Sequence, residues 1–103
     1  PEAHPKADPS WYGFLLTIKN SKKIDRNELV SYLNSKKILT RLLFAGNLTK
    51  QPGYINKKHK IIGNLKNTDK IMSDTFWVGV WPGLGKKQLN YIVEEIKNFI
   101  QNI

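Results

Sequence analysis

The chain has 103 residues, 17 Lys+Arg against 8 Asp+Glu, a formal charge of +9, and no cysteine. That length admits one modest hydrophobic core and excludes a two-domain Rossmann enzyme or a TIM barrel. The missing cysteine excludes disulfides, thiolate nucleophiles, Cys-ligated zinc and iron–sulfur clusters on this chain. The charge comes almost wholly from lysine, with Arg26 and Arg41 the only arginines. Lysine pairs at 22–23, 36–37, 57–58 and 86–87 fall at expected helix ends and loops, where solvated lysines sit. Base and phosphate readout leans on guanidinium forks. A general lysine bias therefore accounts for the charge ahead of a nucleic-acid surface. No apolar run approaches the ~20 residues of a membrane span, and no signal peptide is recognisable.

In chain order, residues 1–10, polar and punctuated by Pro1, Pro5 and Pro9, read as a linker left from a larger protein. Trp11 to Ile18 is apolar on both faces and reads as a buried strand. Asp25, followed three residues on by Glu28, is a capping-box start for a helix over 25–37, with Ile24 and Leu29 at staple spacing. Leu39 to Phe44 reads as a second strand, so the first three elements suggest a right-handed βαβ crossover. Residues 45–65 lack periodicity, and a loop of that length is functional or hides an element. Asn67 is placed to cap a short helix through Ser73, with Ile71 and Met72 inward. Phe76 to Trp81 is a third strand, Pro82-Gly83 a turn, and residues 86–103 a helix. There Leu89, Ile92, Val93, Ile96, Phe99, Ile100 and Ile103 follow the i, i+3, i+4, i+7 rule. The order β-α-β-(long loop)-α-β-α predicts a small α+β sandwich with helices on one face of a short sheet.

The residues offer little catalytic chemistry. His4 lies in the linker and His59 in the basic run 57–60, and neither has an orienting neighbour for a triad or a metal site. Gly83-Leu84-Gly85 opens a helix but lacks the rest of a phosphate-loop signature, so an ordinary turn is the simpler reading. Trp77 and Trp81 read as core or interface aromatics rather than a stacking platform. Two features resist a bland reading. Arg41 sits inside an apolar strand and needs a partner: either an ion pair with Asp69 or Asp74, or an anion or sugar at the strand's end. The run Phe44-Ala45-Gly46-Asn47 is either a plain turn or a place where backbone approaches a ligand.

The runs SWYGFLLTI at 10–18, RNELVSYLNSKKILTRLLFAGNLTKQPGY at 26–54 and NTDKIMSDTFWVGVWPGL at 67–84 carry a resemblance over residues 10–103. The chain resembles the C-terminal small domain of the DegT/DnrJ/EryC1/StrS aminotransferase family of PLP-dependent sugar enzymes, most of all its dehydrase branch. The resemblance implies the C-terminal domain, 11–103, of a fold type I PLP-dependent transferase. It implies a cytoplasmic bacterial parent enzyme that uses PLP or PMP, with a His in place of the Schiff-base Lys. That enzyme removes the C3 hydroxyl of a nucleotide-linked 4-keto-6-deoxy sugar in lipopolysaccharide and 3,6-dideoxyhexose biosynthesis. An iron–sulfur reductase partner and a homodimer are implied with it, and no membrane or nucleic acid. A sugar aminotransferase of the same family, or a free-standing basic module that binds nucleic acid, are the alternatives. The fragment itself is expected to hold no cofactor or metal, to contribute no catalytic residue and to be inactive alone. Carried over by position, the expected substrate contacts are Tyr12, Arg41, Asn47 and Lys70. Tyr12 stands where the branch has Phe, and Lys70 where it has Arg, which keeps the charge but loses the bidentate fork. The loop 45–66 is expected to face a cleft or a dimer partner.

Overall fold

The structure, a computed structural model, describes residues 2–103; Pro1 of the expected linker lies outside them. Residues 2–10 are exposed throughout and hold a turn closed by Ala7 N–H to the His4 carbonyl. The elements are β1 (Phe14–Thr17), α1 (Arg26–Ser35), β2 (Thr40–Leu42), a 3-10 helix (Leu48–Lys50), α2 (Lys66–Asp74), β3 (Thr75–Val78) and α3 (Lys86–Gln101). The expected order holds, with the 3-10 helix added inside the long loop.

The sheet order is β1-β3-β2, and β3 runs antiparallel to both neighbours. β1 and β2 are therefore parallel, as a βαβ unit requires, but they are not adjacent: β3 is inserted between them. This corrects the simple crossover. The physical reason lies in β3, whose Thr75, Phe76 and Val78 are the buried residues of the three strands and so take the central place.

α1 starts where the capping pattern put it. Asp25 accepts from Asn27 N–H at 2.6 Å and Glu28 N–H at 3.1 Å, satisfying donors that a helix start leaves open. The return bond from Glu28 is not made among the described residues, so the cap has one arm. At the other end Ile38 N–H reaches the Leu33 carbonyl at 2.9 Å and Lys37 N–H the Asn34 carbonyl at 3.0 Å. These are the two bonds of a Schellman stop, with Leu33 and Ile38 buried together. Lys37 sits at its left-handed position, φ 65°, where glycine is the unstrained residue.

α1 packs on β2 and β3, and α3 packs on α1. The core is Ile18, Leu29, Leu33, Ile38, Phe76 and Val78, with Leu33 and Phe76 at 0% exposure. Tyr32 of α1 donates to the buried Glu95 of α3 at 2.7 Å, with Lys36 beside the pair at 3.7 Å. The Glu95 carboxylate raises the Tyr32 phenol above its ordinary value. Glu95 is the polar member of an otherwise apolar contact, and the apolar periodicity of α3 could not reveal it.

Several burial expectations are corrected. β1 is not a buried strand: it is an edge strand, and Phe14, Leu15 and Thr17 are exposed. Asn67 does not cap α2. The cap position lies two residues earlier, at Leu65, which makes no side-chain cap, and Asn64 accepts from Lys66 N–H instead. Met72 faces inward, but Ile71 is exposed. On α3 Ile92, Ile96 and Phe99 pack on the core, while Leu89, Val93 and Ile100 are exposed, as is Ile103 beyond the helix end at Gln101. Trp81 lies beyond the end of β3 and is exposed.

α2 is tied to β1 by charge. The Lys70 ammonium donates to the Ile18 carbonyl at 3.0 Å and to Asp74 at 2.7 Å, and Ser73 Oγ donates to the other Asp74 oxygen at 2.7 Å. Ile18 N–H completes the tie at the Asp74 carbonyl, 3.0 Å. Lys70, then Ser73, hold the Asp74 carboxyl below its ordinary value of 3.8.

Two outcomes follow for stability. Lys37→Gly removes left-handed strain of ~1–2 kcal/mol against a smaller unfolded-chain entropy cost. Urea denaturation is expected to show a gain of about 1 kcal/mol, or about 4–8 °C in Tm. A carboxyl whose folded pKa is depressed stabilises the fold above its unfolded pKa, and that stability is lost as pH falls through the folded value. Urea midpoints are therefore expected to hold from about pH 7 to 5 and to fall below about pH 4. Asp74→Asn is expected to lower the neutral-pH midpoint and flatten that acid limb.

Candidate functional site

The register places Leu15, Trp77 and Arg41 opposite one another across the sheet. Partners in an antiparallel pair project to the same face, and the strand period puts that face opposite Phe76 and Val78, hence opposite α1. The site is built on this outer face around Trp77. Its indole N–H donates to the Leu42 carbonyl at 3.2 Å. The Tyr12 ring lies against it, centroids 5.0 Å apart and planes tilted by 43°. Gly13 lets the two strands of aromatic contact close: a Cβ there would overlap the Trp77 ring. Trp11, Tyr12, Leu15, Leu43, Phe44 and Trp77 wall a cavity of about 280 Å³.

Of the expected contact residues, the structure brings Tyr12 and Arg41 to this face. Tyr12 is 76% exposed, with its hydroxyl in solvent. Arg41 is exposed and has no hydrogen-bond or ion-pair partner among the described residues. The premise that strand burial forces a partner on Arg41 is thus corrected. β2 is an edge strand of three residues, and Arg41 points off the uncovered side. The ion pair with Asp69 or Asp74 is not formed; Lys50 and Lys70 hold those carboxylates.

Asn47 and Lys70 are placed differently. Asn47 is 1% exposed. Its amide oxygen accepts from Thr49 N–H at 3.0 Å and Thr49 Oγ1 at 2.7 Å, capping the 3-10 helix, and its amide nitrogen donates to Asp69 at 2.6 Å. Lys50 meets the same Asp69 oxygen at 2.8 Å. Lys50 first, then Asn47, lower the Asp69 carboxyl below its ordinary value. Asn47 thus pins the loop that follows β2 to α2, as Lys70 pins α2 to β1. The residues between are bent tightly: Phe44 has φ 47° and Gly46 φ 60°. A Cβ at Gly46 would lie 2.6 Å from Met72 Cβ, so the close approach of loop and helix needs glycine there. Phe44, 79% exposed, is a bulky residue in a conformation it adopts rarely, a mark of sites where the surroundings dictate backbone.

Sequence reasoning singled out the run that begins at Phe44 for its backbone and read Trp77 as a core or interface aromatic, and placed neither side chain on this face. The signal was available for Trp77, since strand alternation sets it opposite Phe76. It was not available for Phe44, whose role depends on a positive φ. Gly83-Leu84-Gly85 forms a turn, with Leu84 N–H on the Trp81 carbonyl at 3.0 Å, and Gly85 precedes α3 without a side-chain cap.

PLP requires an amine or imidazole at its aldehyde carbon, a phosphate cradle and a partner for its ring nitrogen. A polar cavity bounded by Arg26, Lys50, Asp69, Lys70 and Asp74 does not fit that set. Both lysines are ammonium ions held by carboxylates, and Arg26 is spent on the Thr75 carbonyl at 3.1 Å. No step of chemistry on PLP is assigned to residues of this chain.

Comparison with known proteins places the chain among sugar-modifying enzymes in sequence and fold. The chain is 50% identical over 99 residues to the lipopolysaccharide biosynthesis protein RfbH of Salmonella typhimurium, covering 96% of this chain and 23% of that protein. It is 43% identical over 100 residues to the dTDP-4-dehydro-2,6-dideoxy-D-glucose 3-dehydratase of Saccharopolyspora spinosa, covering 97% and 22%. Among solved structures it is similar to an Escherichia coli GDP-4-keto-6-deoxy-D-mannose-3-dehydratase with bound hydrated PLP, at TM-score 0.72 and 25% identity over 82% of this chain and 22% of that one. The chain thus spans under a quarter of the length of the relatives it matches. The model of the DegT/DnrJ/EryC1/StrS aminotransferase family matches residues 1–97, and the chain belongs to that family.

Proposed function

We propose that this chain is the C-terminal small domain, residues 11–103 following a linker, of a PLP- or PMP-dependent nucleotide-sugar 3-dehydrase in deoxysugar and lipopolysaccharide biosynthesis. The outer face of its sheet forms one wall of that enzyme's substrate cleft. The observation that carries the reading is the guanidinium of Arg41, without a partner among the described residues, beside the Tyr12–Trp77 ring pair, whereas Arg26 is bound to the Thr75 carbonyl and Lys50 and Lys70 are held in ion pairs. Support comes from the relatives, whose names describe 3-dehydratases of nucleotide-linked keto sugars.

In this role Arg41 donates to the anionic or keto oxygens of a nucleotide-linked 4-keto-6-deoxy sugar. Tyr12 offers an apolar ring edge with a hydroxyl at its tip. Asn47 and Lys70 act by position, holding the loop after β2 and the helix α2 against the sheet. The cofactor, when bound by the longer enzyme, supplies the chemistry that loosens the C3 hydroxyl. This chain binds and orients, and is inactive alone. The same reading includes a cytoplasmic homodimeric enzyme reduced by an iron–sulfur partner. This chain has no cysteine to ligate the cluster, which lies in the rest of the enzyme or in the partner.

The test is a chimera in which this chain replaces the matching stretch of the Salmonella relative. The expected result is retained 3-dehydration of a nucleotide-linked 4-keto-6-deoxy sugar. Arg41→Ala is expected to lower kcat/KM about 10- to 100-fold, the worth of one charge-assisted hydrogen bond, with Arg41→Lys in between. Amino transfer to the sugar in place of dehydration would assign the aminotransferase branch. Unchanged kinetics for Arg41→Ala would remove the face from the cleft. Binding of the isolated chain to random duplex DNA with a steep salt slope would favour the nucleic-acid reading.

A further inference from the structure

α3 crosses α1 but leaves a gap over the edge strand β1. The gap is a groove of about 460 Å³, walled by Phe14 and Leu16 of β1, Val80 and Trp81 after β3, and Leu89 and Val93 of α3, among others. Every residue that lines it is apolar or glycine. The chain is 24% charged and carries 15 lysines, yet no charged side chain enters the wall of this groove. Phe14, Trp81, Leu89 and Val93 stand open to solvent along it. An exposed apolar surface of this kind marks burial against protein.

We infer that the groove between β1 and α3 is where the remaining part of the longer family protein docks, through an apolar helix or strand that carries no charge into it. The inference rests on the proposed reading of the chain as one domain of a longer enzyme. Three observations select this occupant. The chain spans only 22–23% of its curated relatives, so family members carry more than three times its length in further chain. The groove offers no cation, which disfavours an acidic or nucleic-acid partner for a protein of charge +9. The opposite, outer face of the sheet holds Arg41 and the Tyr12–Trp77 stack, so the groove can be covered while that face stays open to substrate.

The native chain lacks cysteine, so Val93→Cys places a single thiol in the groove at a half-exposed position. Maleimide labelling is followed by peptide mass in the isolated chain and in the chimera with the Salmonella relative. Each rate is taken relative to the same thiol in urea. The expected result is fast labelling in the isolated chain and labelling slowed about tenfold or more in the chimera. Leu89→Cys, one turn earlier, is expected to behave alike. Equal rates in both proteins would overturn the inference. Slow labelling in the isolated chain that speeds up on dilution would also overturn it, in favour of a second copy as occupant. Labelling needs no turnover, so an inactive chimera that still protects Val93→Cys would fail the functional reading alone.

Discussion

The structure hangs on the alternation of Phe76, Trp77 and Val78 in the central strand. Each of the three is registered with residues on both neighbouring strands. Phe76 and Val78 project into the core under α1, and Trp77 projects the other way. A slip of one residue would send Trp77 into a core built for Phe76 and turn the core residues to solvent. One short strand therefore fixes both what is buried and which face carries the site. It also explains the sheet order. A strand with both its backbone edges and its apolar side chains demanding cover belongs in the middle, and β1 and β2 are left as edges.

Around that strand the long connection from β2 to α2 is held by polar ties rather than by packing. Asn47, Lys50 and Asp69 close one end of it, while Lys70, Ser73 and Asp74 fasten α2 to the end of β1. These ties consume the carboxylates that could have neutralised Arg41. Lysine and arginine thus divide the labour. The compact ammonium ions of Lys50 and Lys70 sit in structural pairs, and the one planar fork on the outer face stays free. The same division explains why the charge of the chain says little about its ligand.

The element order, the Asp25 cap, the turn at Pro82-Gly83 and the extent of α3 were all legible in the sequence, because each rests on local rules: spacing, capping and turn chemistry. Strand adjacency was not, since the partner of β1 lies about sixty residues further on and a βαβ pattern is silent about a strand inserted later. The start of α2 was misplaced because Asn64 and Asn67 are both plausible near a helix start, and only backbone geometry chooses. Arg41 was singled out by the apolar residues around it, and the reason given, burial, fails while the residue remains the free cation of the site. Asn47 was noticed for its place after a strand, and proves to be the buried pin of the loop. Trp77 could have been read from alternation with Phe76; the left-handed Phe44 could not.

The largest gap between sequence and structure concerns burial rather than secondary structure. The apolar stripe of α3 is wider than α1 can cover. Ile92, Ile96 and Phe99 reach the core, whereas Leu89, Val93 and Ile100 do not. The strand β1, apolar on both sides, faces the same gap. Both elements have the composition of interior segments and the exposure of surface ones. Hydrophobic periodicity reports what a segment is built to bury, whichever polypeptide does the burying. A domain of this size hides only part of its apolar surface by itself, and part of what stays open, Phe14, Trp81, Leu89 and Val93, lines one uncharged groove. A continuous apolar wall shared by two elements is the form taken by a surface made for another piece of protein.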